Sequence, residues 1–350
     1  MRCDDGFRGF GRQIRPVPAV LKGLDTLTSM KAIVITRTGG PEVLEVRDVP
    51  EPATEPGKVL VRVQAGGVNF ADNMTVTGAY PGTPKPPFIA GREFAGVEEG
   101  TGRRVMGYTQ WAAFAEKAVA RPELLWTIPE GWSPEQAAAF PVNYFTAYFA
   151  YWEAGFFEGK AGHSAGRRVL IHAVAGGVGT AAVQMGKILD AEMYGTSSSD
   201  DKLARVQRLG LQHAINYKAL DYENAIQELT RGEGVDAVFE MLGGEHTAKS
   251  IRCLRDFGKV IQYGTAGGKQ PQLDLRALYA KAASVQGLWL TYMSGKRDLM
   301  NQAWKQLLGW IVEGKLHPIV GQVLPAESAR EAYELLLERK NYGKVVLKIV

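Results

Sequence analysis

Two stretches of this chain have the residue types and spacing for chemistry, and they point to different reactions. "VLIHAVAGGVGTAAVQMGKIL", Val169 to Leu189, runs a short apolar segment into a glycine cluster and out into an alanine-rich segment. Just upstream, "GHSAG", Gly162 to Gly166, has the G-x-S-x-G spacing of a serine hydrolase's nucleophile elbow. An elbow needs its serine on a sharp turn after a strand and before a helix, because the helix N-terminus helps supply oxyanion donors. Ser164 has the reverse context: a Gly/Lys/Ala loop holds it and a strand-like run follows. A hydrolase using Ser164 is kept as the weaker alternative; it requires labelling by a fluorophosphonate probe.

The glycine cluster has the context a dinucleotide site requires. A strand over Val169 to Ala173 enters it, and an amphipathic helix leaves it with Val178, Ala181, Ala182, Met185, Ile188 and Leu189 on one face. Laid on G-x-G-x-x-G, the match is Val174-Ala175-Gly176-Gly177-Val178-Gly179, with valine in place of the first glycine. Gly176 lets backbone approach a pyrophosphate, and Gly179 lets the helix close on the strand. Amides of Gly177 and Val178 at the helix N-terminus then face the phosphates. The competing reading is a strand–turn–helix with no ligand.

The end of the second strand chooses between dinucleotides. An NAD site usually places Asp or Glu there for the ribose 2′-hydroxyl. This chain reads "GTSSSDDK", with uncharged Thr196, Ser197, Ser198 and Ser199, and Lys202 one helical turn on. Hydroxyls and a lysine suit a 2′-phosphate, which points to NADPH. Asp200 and Asp201 are explained by the helix dipole. Lys202 as a solvated surface residue is the other reading.

These residues need a scaffold, and the surrounding text supplies a pattern for one. With 350 residues the chain is long enough for two packed domains. From Met30, strand-like runs alternate with proline clusters; in "KVLVRVQ", Val59, Val61 and Val63 share one face. That spacing suggests an antiparallel barrel-like domain with long loops. Before a helix, Ser133 is the expected N-cap, with Pro134 in the first turn and Gln136 completing a capping box. After Gly166, strands alternate with helices, the signature of βαβ units around a parallel sheet, with "SVQGLWL" as a sixth strand. Helices are expected at Arg297 to Val312 and Glu327 to Glu338, and the closing "KVVLKIV" returns to the first domain.

Composition closes off other classes. A net charge of +4, with no basic run interleaved with aromatics, argues against nucleic acid. No apolar stretch approaches the roughly 20 residues that span a bilayer. Two cysteines, Cys3 and Cys253, make neither a disulfide scaffold nor a metal-ligand spacing, which suits a reducing, cytoplasmic compartment. Residues 1–29, punctuated by Gly, Arg and Pro, read as a flexible N-terminal extension, with a targeting role as the alternative.

Taken together, "AVAGGVGTAAVQ", "VNYFTAY" and "GGVNFADNMTVTGAY" resemble the zinc-independent quinone oxidoreductases of the medium-chain dehydrogenase/reductase superfamily, the zeta-crystallin group. "NYFTAY", "YGTA" and the terminal "KNYGKVVL" bring the resemblance closer to the vesicle amine transport protein-like branch, over essentially Met30 to Val350. The resemblance implies a GroES-like β-barrel catalytic domain (residues 30–149 plus 293–350) interrupted by a Rossmann-type doubly wound parallel-sheet domain (150–292). It implies a homodimer formed through the sixth strands. It places Asn69 beside the nicotinamide and Thr146 on the cofactor, with Gly176, Gly177 and Val178 at the pyrophosphate. Ser198, Lys202 and Tyr217 surround the 2′-phosphate, Gly264 and Thr265 line the cleft, and Asn341 closes over the nicotinamide end. Relatives often carry Tyr and Arg shortly after the "VN" motif; Met74 and Val76 stand there, which puts the substrate pocket in doubt. The loop carrying Ser164 is longer than the resemblance leads one to expect, an edit that loops tolerate.

The zinc branch of that superfamily needs Cys, His and a third ligand. Here Asn69 and Arg92 stand in the first two places and only Glu93 remains; the five histidines show no H-x-x-x-H pattern. Without a metal to stabilise an alkoxide, an electron-poor quinone or enone is the fitting small-molecule acceptor. Asn69, Tyr80 and Tyr144 are candidate pocket residues, with Trp289 and Tyr292 as further candidates. Tyr80 could donate a hydrogen bond to the developing oxygen or could simply pack at its Pro-rich loop. The leading expectation is NADPH-dependent quinone or enone reduction; an NADPH-binding protein with little catalysis is the alternative from another class.

Overall fold

The computed structural model describes residues 28–157 and 165–350. The expected flexible extension lies almost wholly outside the described residues, as does Ser164. Strands β1 (Ser29–Ile35), β2 (Leu44–Pro50), β3 (Val59–Val68), β4 (Phe88–Ile89), β5 (Glu93–Glu98), β6 (Arg104–Tyr108), β7 (Lys117–Ala120) and β8 (Leu125–Thr127) form the first half, interrupted by helix α1 (Phe70–Val76). Along β3, Val61 and Val63 are buried while Arg62 is exposed, so alternation sets which face meets the core. Tight crossings in this half require glycine: a Cβ on Gly96 would lie 2.1 Å from the Arg62 carbonyl oxygen.

Two helices lead out of the barrel, α2 (Pro134–Ala138) and α3 (Pro141–Glu153). The first begins with the expected capping box: Ser133 Oγ accepts from the Gln136 amide, and Gln136 Oε1 accepts from the Ser133 amide. The second half contains β9 (Arg168–Ile171), α4 (Gly177–Ile188), β10 (Glu192–Ser197), α5 (Asp200–Leu209), β11 (His213–Asn216), α6 (Tyr222–Leu229), β12 (Val235–Glu240), α7 (Glu245–Cys253), β13 (Leu254–Gln262), α8 (Leu275–Ala280) and β14 (Ser284–Gly287). Its six strands pair in parallel in the order β11-β10-β9-β12-β13-β14. The order reverses beside β9, and ligands of such sheets bind at that point, outside the carboxyl ends of the strands.

The chain then passes through α9 (Leu290–Met293) and α10 (Arg297–Val312) to β15 (Val320–Pro325), α11 (Ala329–Leu337) and β16 (Lys344–Lys348). The last strand pairs antiparallel with β3, Val345 opposite Val68 and Lys348 opposite Ala65. It thereby carries the C-terminus back to the first half. The largest apolar cluster runs from Ala65 and Met106 through the aromatic face of α3 to Val169, Met185 and Trp310, welding the two halves. Among the described residues, no helix is long and apolar enough to cross a membrane.

Candidate active site

The cleft opens where the sheet order reverses. The turn after β9 brings Ala175 and Gly176 to its wall, and α4 starts at Gly177. The packing explains the glycines. A Cβ on Gly179 would sit 2.4 Å from the Val174 carbonyl oxygen, and one on Gly177 2.4 Å from Asn143 Nδ2. The first turn of α4 therefore lies against both the strand and α3, and its amides, which have no intrahelical acceptors, face the cleft. That arrangement fits a pyrophosphate.

The cavity is about 260 Å³, and its lining brings together Asn69, Gly176, Gly177, Val178, Ser198, Lys202, Tyr217 and Asn341. Three other expected positions do not line it. Thr146 is 7% exposed, one turn beyond Asn143, and Asn143 is the residue of α3 that reaches the cleft. Gly264 and Thr265 are flanked by the true lining residues, Tyr263 and Ala266; the Gly264 carbonyl instead accepts from Gln262 Nε2 at 2.6 Å.

At one end, the strand terminus after β10 behaves as its sequence suggests. Ser199 caps α5, its hydroxyl accepting from the Lys202 amide, and Asp200 and Asp201 occupy the first turn. Lys202 Nζ donates to the Arg339 carbonyl oxygen at 2.5 Å, and the Arg339 guanidinium donates to the Tyr217 hydroxyl at 3.0 Å. Burial and the neighbouring Arg205 lower the Lys202 pKa. Arg339 escaped the sequence reading because it stands 137 residues from Lys202 and belongs to no motif.

At the other end, Asn69 is the N-cap of α1, and its amide N–H donates to Asp72 Oδ2 at 2.8 Å. Its side chain is engaged on both sides. Asn69 Nδ2 donates to Glu93 Oε1 at 2.8 Å, and Asn69 Oδ1 accepts from the Lys344 ammonium at 2.6 Å. Lys344 also pairs with Glu93 directly, and the second Glu93 oxygen accepts from the Val142 amide at 2.7 Å. Glu93 and Lys344 are 0% and 2% exposed. Lys344 and Asn143 were visible in "KNYGKVVL" and "VNYFTAY", but nothing local distinguishes a cleft lysine from a strand-edge one.

Beneath the glycine turn lies a second buried polar group. His172 Nδ1 and Thr196 Oγ1 are 3.0 Å apart, and His172 Nε2 and Ser250 Oγ 3.1 Å. Ser250 in turn donates to Glu240 Oε2 at 2.7 Å. Burial lowers the His172 pKa, against the pull of Glu240. These bonds fix the strand ends that carry the turn.

The candidate pocket aromatics divide into two groups. Tyr144 is 1% exposed; its hydroxyl donates to the His317 carbonyl at 2.6 Å and accepts from Gln184 Nε2 at 2.9 Å, which makes it a core residue. Tyr80 sits outside the cleft lining, its ring 3.7 Å from the Arg92 guanidinium, which Trp111 covers at 4.4 Å. The Tyr80 hydroxyl accepts from Trp289 Nε1 at 2.7 Å and is 3.2 Å from Thr291 Oγ1. Tyr292 is exposed, with Lys296 over its ring. Arg92 reaches back to Asp72 at 3.3 Å, so the aromatic group and Asn69 share one buried chain of contacts.

The alcohol dehydrogenase GroES-like domain model matches residues 55–130, and the zinc-binding dehydrogenase model matches residues 177–313. The human synaptic vesicle membrane protein VAT-1 homolog is 33% identical over 91% of this chain and 86% of its own length. The Bos taurus quinone oxidoreductase-like protein 2 is 32% identical over 87% of this chain and 89% of its own. The chain belongs to the medium-chain dehydrogenase/reductase superfamily. Among solved members, the Thermus thermophilus quinone oxidoreductase, whose complex with NADPH is also known, aligns with a TM-score of 0.78 at 36% identity, covering 91% of this chain and 100% of that one. In superfamily terms, the barrel half is the GroES-like domain and the six-stranded parallel half is the Rossmann-type domain.

Proposed function

We propose that this medium-chain reductase binds NADPH and reduces a quinone or a related α,β-unsaturated carbonyl compound without a metal ion. The observation that carries this reading is one cleft joining the glycine turn, the cationic strand end at Lys202, and Asn69. When bound, NADPH supplies the hydride. The amides of Gly177 and Val178 hold the pyrophosphate, and Ser198, Lys202, Tyr217 and Arg339 receive the 2′-phosphate. Asn69, braced by Glu93 and Lys344, orients the reactive ring, and Asn341 covers that end. Positioning and exclusion of water are then the protein's contribution.

The donor chemistry argues against zinc at this site. Asn69 presents an amide donor to Glu93, and the Lys344 ammonium already neutralises that carboxylate. Zinc takes about four N, S or O ligands with free lone pairs. Among the described residues, no group of three or more His, Cys, Asp or Glu is gathered for a metal.

The parallel-sheet strands, which run from Arg168 to Gly287, support a cofactor domain over 150–292, whose two bounds fall inside α3 and α9. A second copy would pair through β14, the exposed edge of the parallel sheet. Met74 and Val76, standing where relatives often carry Tyr and Arg, favour the second reading, tight NADPH binding with little turnover. Following NADPH oxidation with a panel of quinones and enones tests the pair. Turnover with at least one acceptor is expected; binding without turnover on any of them selects the second reading.

A further inference from the structure

One six-residue run, Arg339 to Lys344, touches both ends of the cleft and its middle. At the phosphate end, the Arg339 carbonyl accepts from Lys202 and the Arg339 guanidinium donates to Tyr217. In the middle, the Gly343 amide donates to the Ala175 carbonyl at 2.8 Å, so the run pairs with the glycine turn itself. At the far end, the Lys344 ammonium binds Asn69 Oδ1 and Glu93. The run has little slack. Arg339 holds a left-handed φ of 55°, uncommon for a residue with a Cβ. Gly343, at φ 62°, lies so close to Ile319 that a Cβ there would be 2.3 Å from its carbonyl oxygen. The Tyr342 ring lies 3.5 Å from the Arg205 guanidinium.

Two of the groups that would receive a 2′-phosphate, Lys202 and Arg339, thus each direct a donor at a neighbour within the group. A dianion sitting among Ser198, Lys202, Tyr217 and Arg339 would compete with the Arg339 carbonyl for the Lys202 ammonium and with the Tyr217 hydroxyl for the Arg339 guanidinium. A doubly charged acceptor attracts both cations more strongly than a neutral carbonyl or hydroxyl oxygen does, so the exchange favours the phosphate. Resting on the NADPH reading above, we propose that this exchange resets the Arg339–Lys344 run and, through it, Asn69 and Glu93. The 2′-phosphate then adjusts the hydride end of the cleft as well as anchoring the cofactor. Arg339 and Lys344 are positioning residues in this scheme. Their contacts form one continuous covalent and hydrogen-bonded link, and any coupling they carry between the two ends must act equally in both directions.

Adenosine 2′,5′-bisphosphate and adenosine 5′-monophosphate separate the effect from hydride transfer, because both fill the adenosine end and neither carries a nicotinamide. Hydrogen exchange is measured on the full chain saturated with each. The bisphosphate is expected to change exchange at Gly343 to Val345 and at Asn69 to Asp72, whereas the monophosphate acts only around the glycine turn. Equal patterns for two bound probes, with both distant segments unmoved, overturn the coupling while leaving the NADPH reading standing. Binding of neither probe removes both. In a second measurement, Lys344→Met combined with Glu93→Gln releases the far end without burying a lone charge. Affinity for the bisphosphate is expected to shift at least about threefold, the reciprocal effect of linkage, with the monophosphate unchanged. Unchanged affinity for both overturns the proposal.

Discussion

Lys344 places its ammonium 2.6 Å from the Asn69 amide oxygen across 275 residues of sequence, and both side chains are buried. The contact exists because β16 returns to pair with β3, whose end leads straight into Asn69. Lys344 is also the cation facing the fully buried Glu93. Removing one member of a buried pair leaves the other charged and unpaired, which costs about 3–5 kcal/mol. Lys344→Met is therefore expected to lower the stability measured by chemical unfolding by that order. Lys344→Met with Glu93→Gln should recover most of the loss. A single variant as stable as the wild type would show that the Lys344–Glu93 pair makes no net contribution to stability.

Lys202 discriminates between the two pyridine nucleotides. Its ammonium donates to the Arg339 carbonyl, and a phosphate offers a stronger, ionised acceptor. A hydrogen bond to a charged group contributes about 1.5–3 kcal/mol, or a factor of roughly 10 to 100 in affinity. Lys202→Ala should weaken NADPH binding by that factor and change NADH binding less than about threefold. Titration by nucleotide fluorescence measures both. Equal losses would place Lys202 in general folding of the cleft rather than at the 2′-phosphate.

Much of this site could be read directly from the chain, and the reason differs by residue. The glycine turn is legible because its constraint is local: strand, turn and helix are contiguous, and Gly179 abuts Val174 only five residues away. The Ser133 cap, the Ser199–Asp201 helix start and the helix at Arg297–Val312 are local too, and each stands where its residues indicate. Arg339 and Lys344 were missed because their roles come from tertiary pairing with Tyr217 and Glu93. Asn143 was missed because helix phase decides it: one turn of α3 separates it from Thr146, and Asn143 is the side chain that meets Gly177. Tyr144 reads as a pocket residue until its ring is seen to be buried, with its hydroxyl held between the His317 carbonyl and Gln184 Nε2.

Asp72 predicts how stability responds to acid. Burial pushes its carboxyl up from 3.8 to about 6, against the pull of Arg92, the Asn69 amide and Lys344. Arg92, 3.3 Å away, does not reverse the shift because both groups are only 2% exposed and the desolvation of the carboxylate is the larger effect. A raised folded-state pKa means that the native state binds this proton more tightly than the unfolded chain does. Its contribution is full below about pH 4 and is lost as pH rises to 6, by an amount on the order of 3 kcal/mol. Asp221, held below the usual carboxylate range chiefly by Lys249, and Asp274, held there chiefly by the Ala277 amide, contribute with the opposite sign below about pH 4, so the measurement is a difference. The stability of wild type relative to Asp72→Asn should fall between pH 4 and 6 and stay level above. A level difference throughout would mean that Arg92 keeps Asp72 ionised across that range.

Tyr80 is the remaining choice between catalysis and packing, and its surroundings make the choice measurable. The ring stacks on Arg92, while the hydroxyl accepts from Trp289 and lies beside Thr291. Tyr80→Phe keeps the ring on the guanidinium and removes only the hydroxyl, so the Arg92–Asp72–Asn69 contacts survive. If that hydroxyl protonates the acceptor oxygen, its loss should lower kcat by about 100-fold or more, the usual worth of a positioned acid. The KM for NADPH should not move, because Tyr80 lies outside the cleft lining. An unchanged kcat would assign Tyr80 to holding Arg92, leaving water as the proton source. A rise in both kcat and KM would instead show that the Trp289–Tyr80 bond restricts entry of the acceptor, since freeing Trp289 Nε1 loosens the exposed side of this aromatic group.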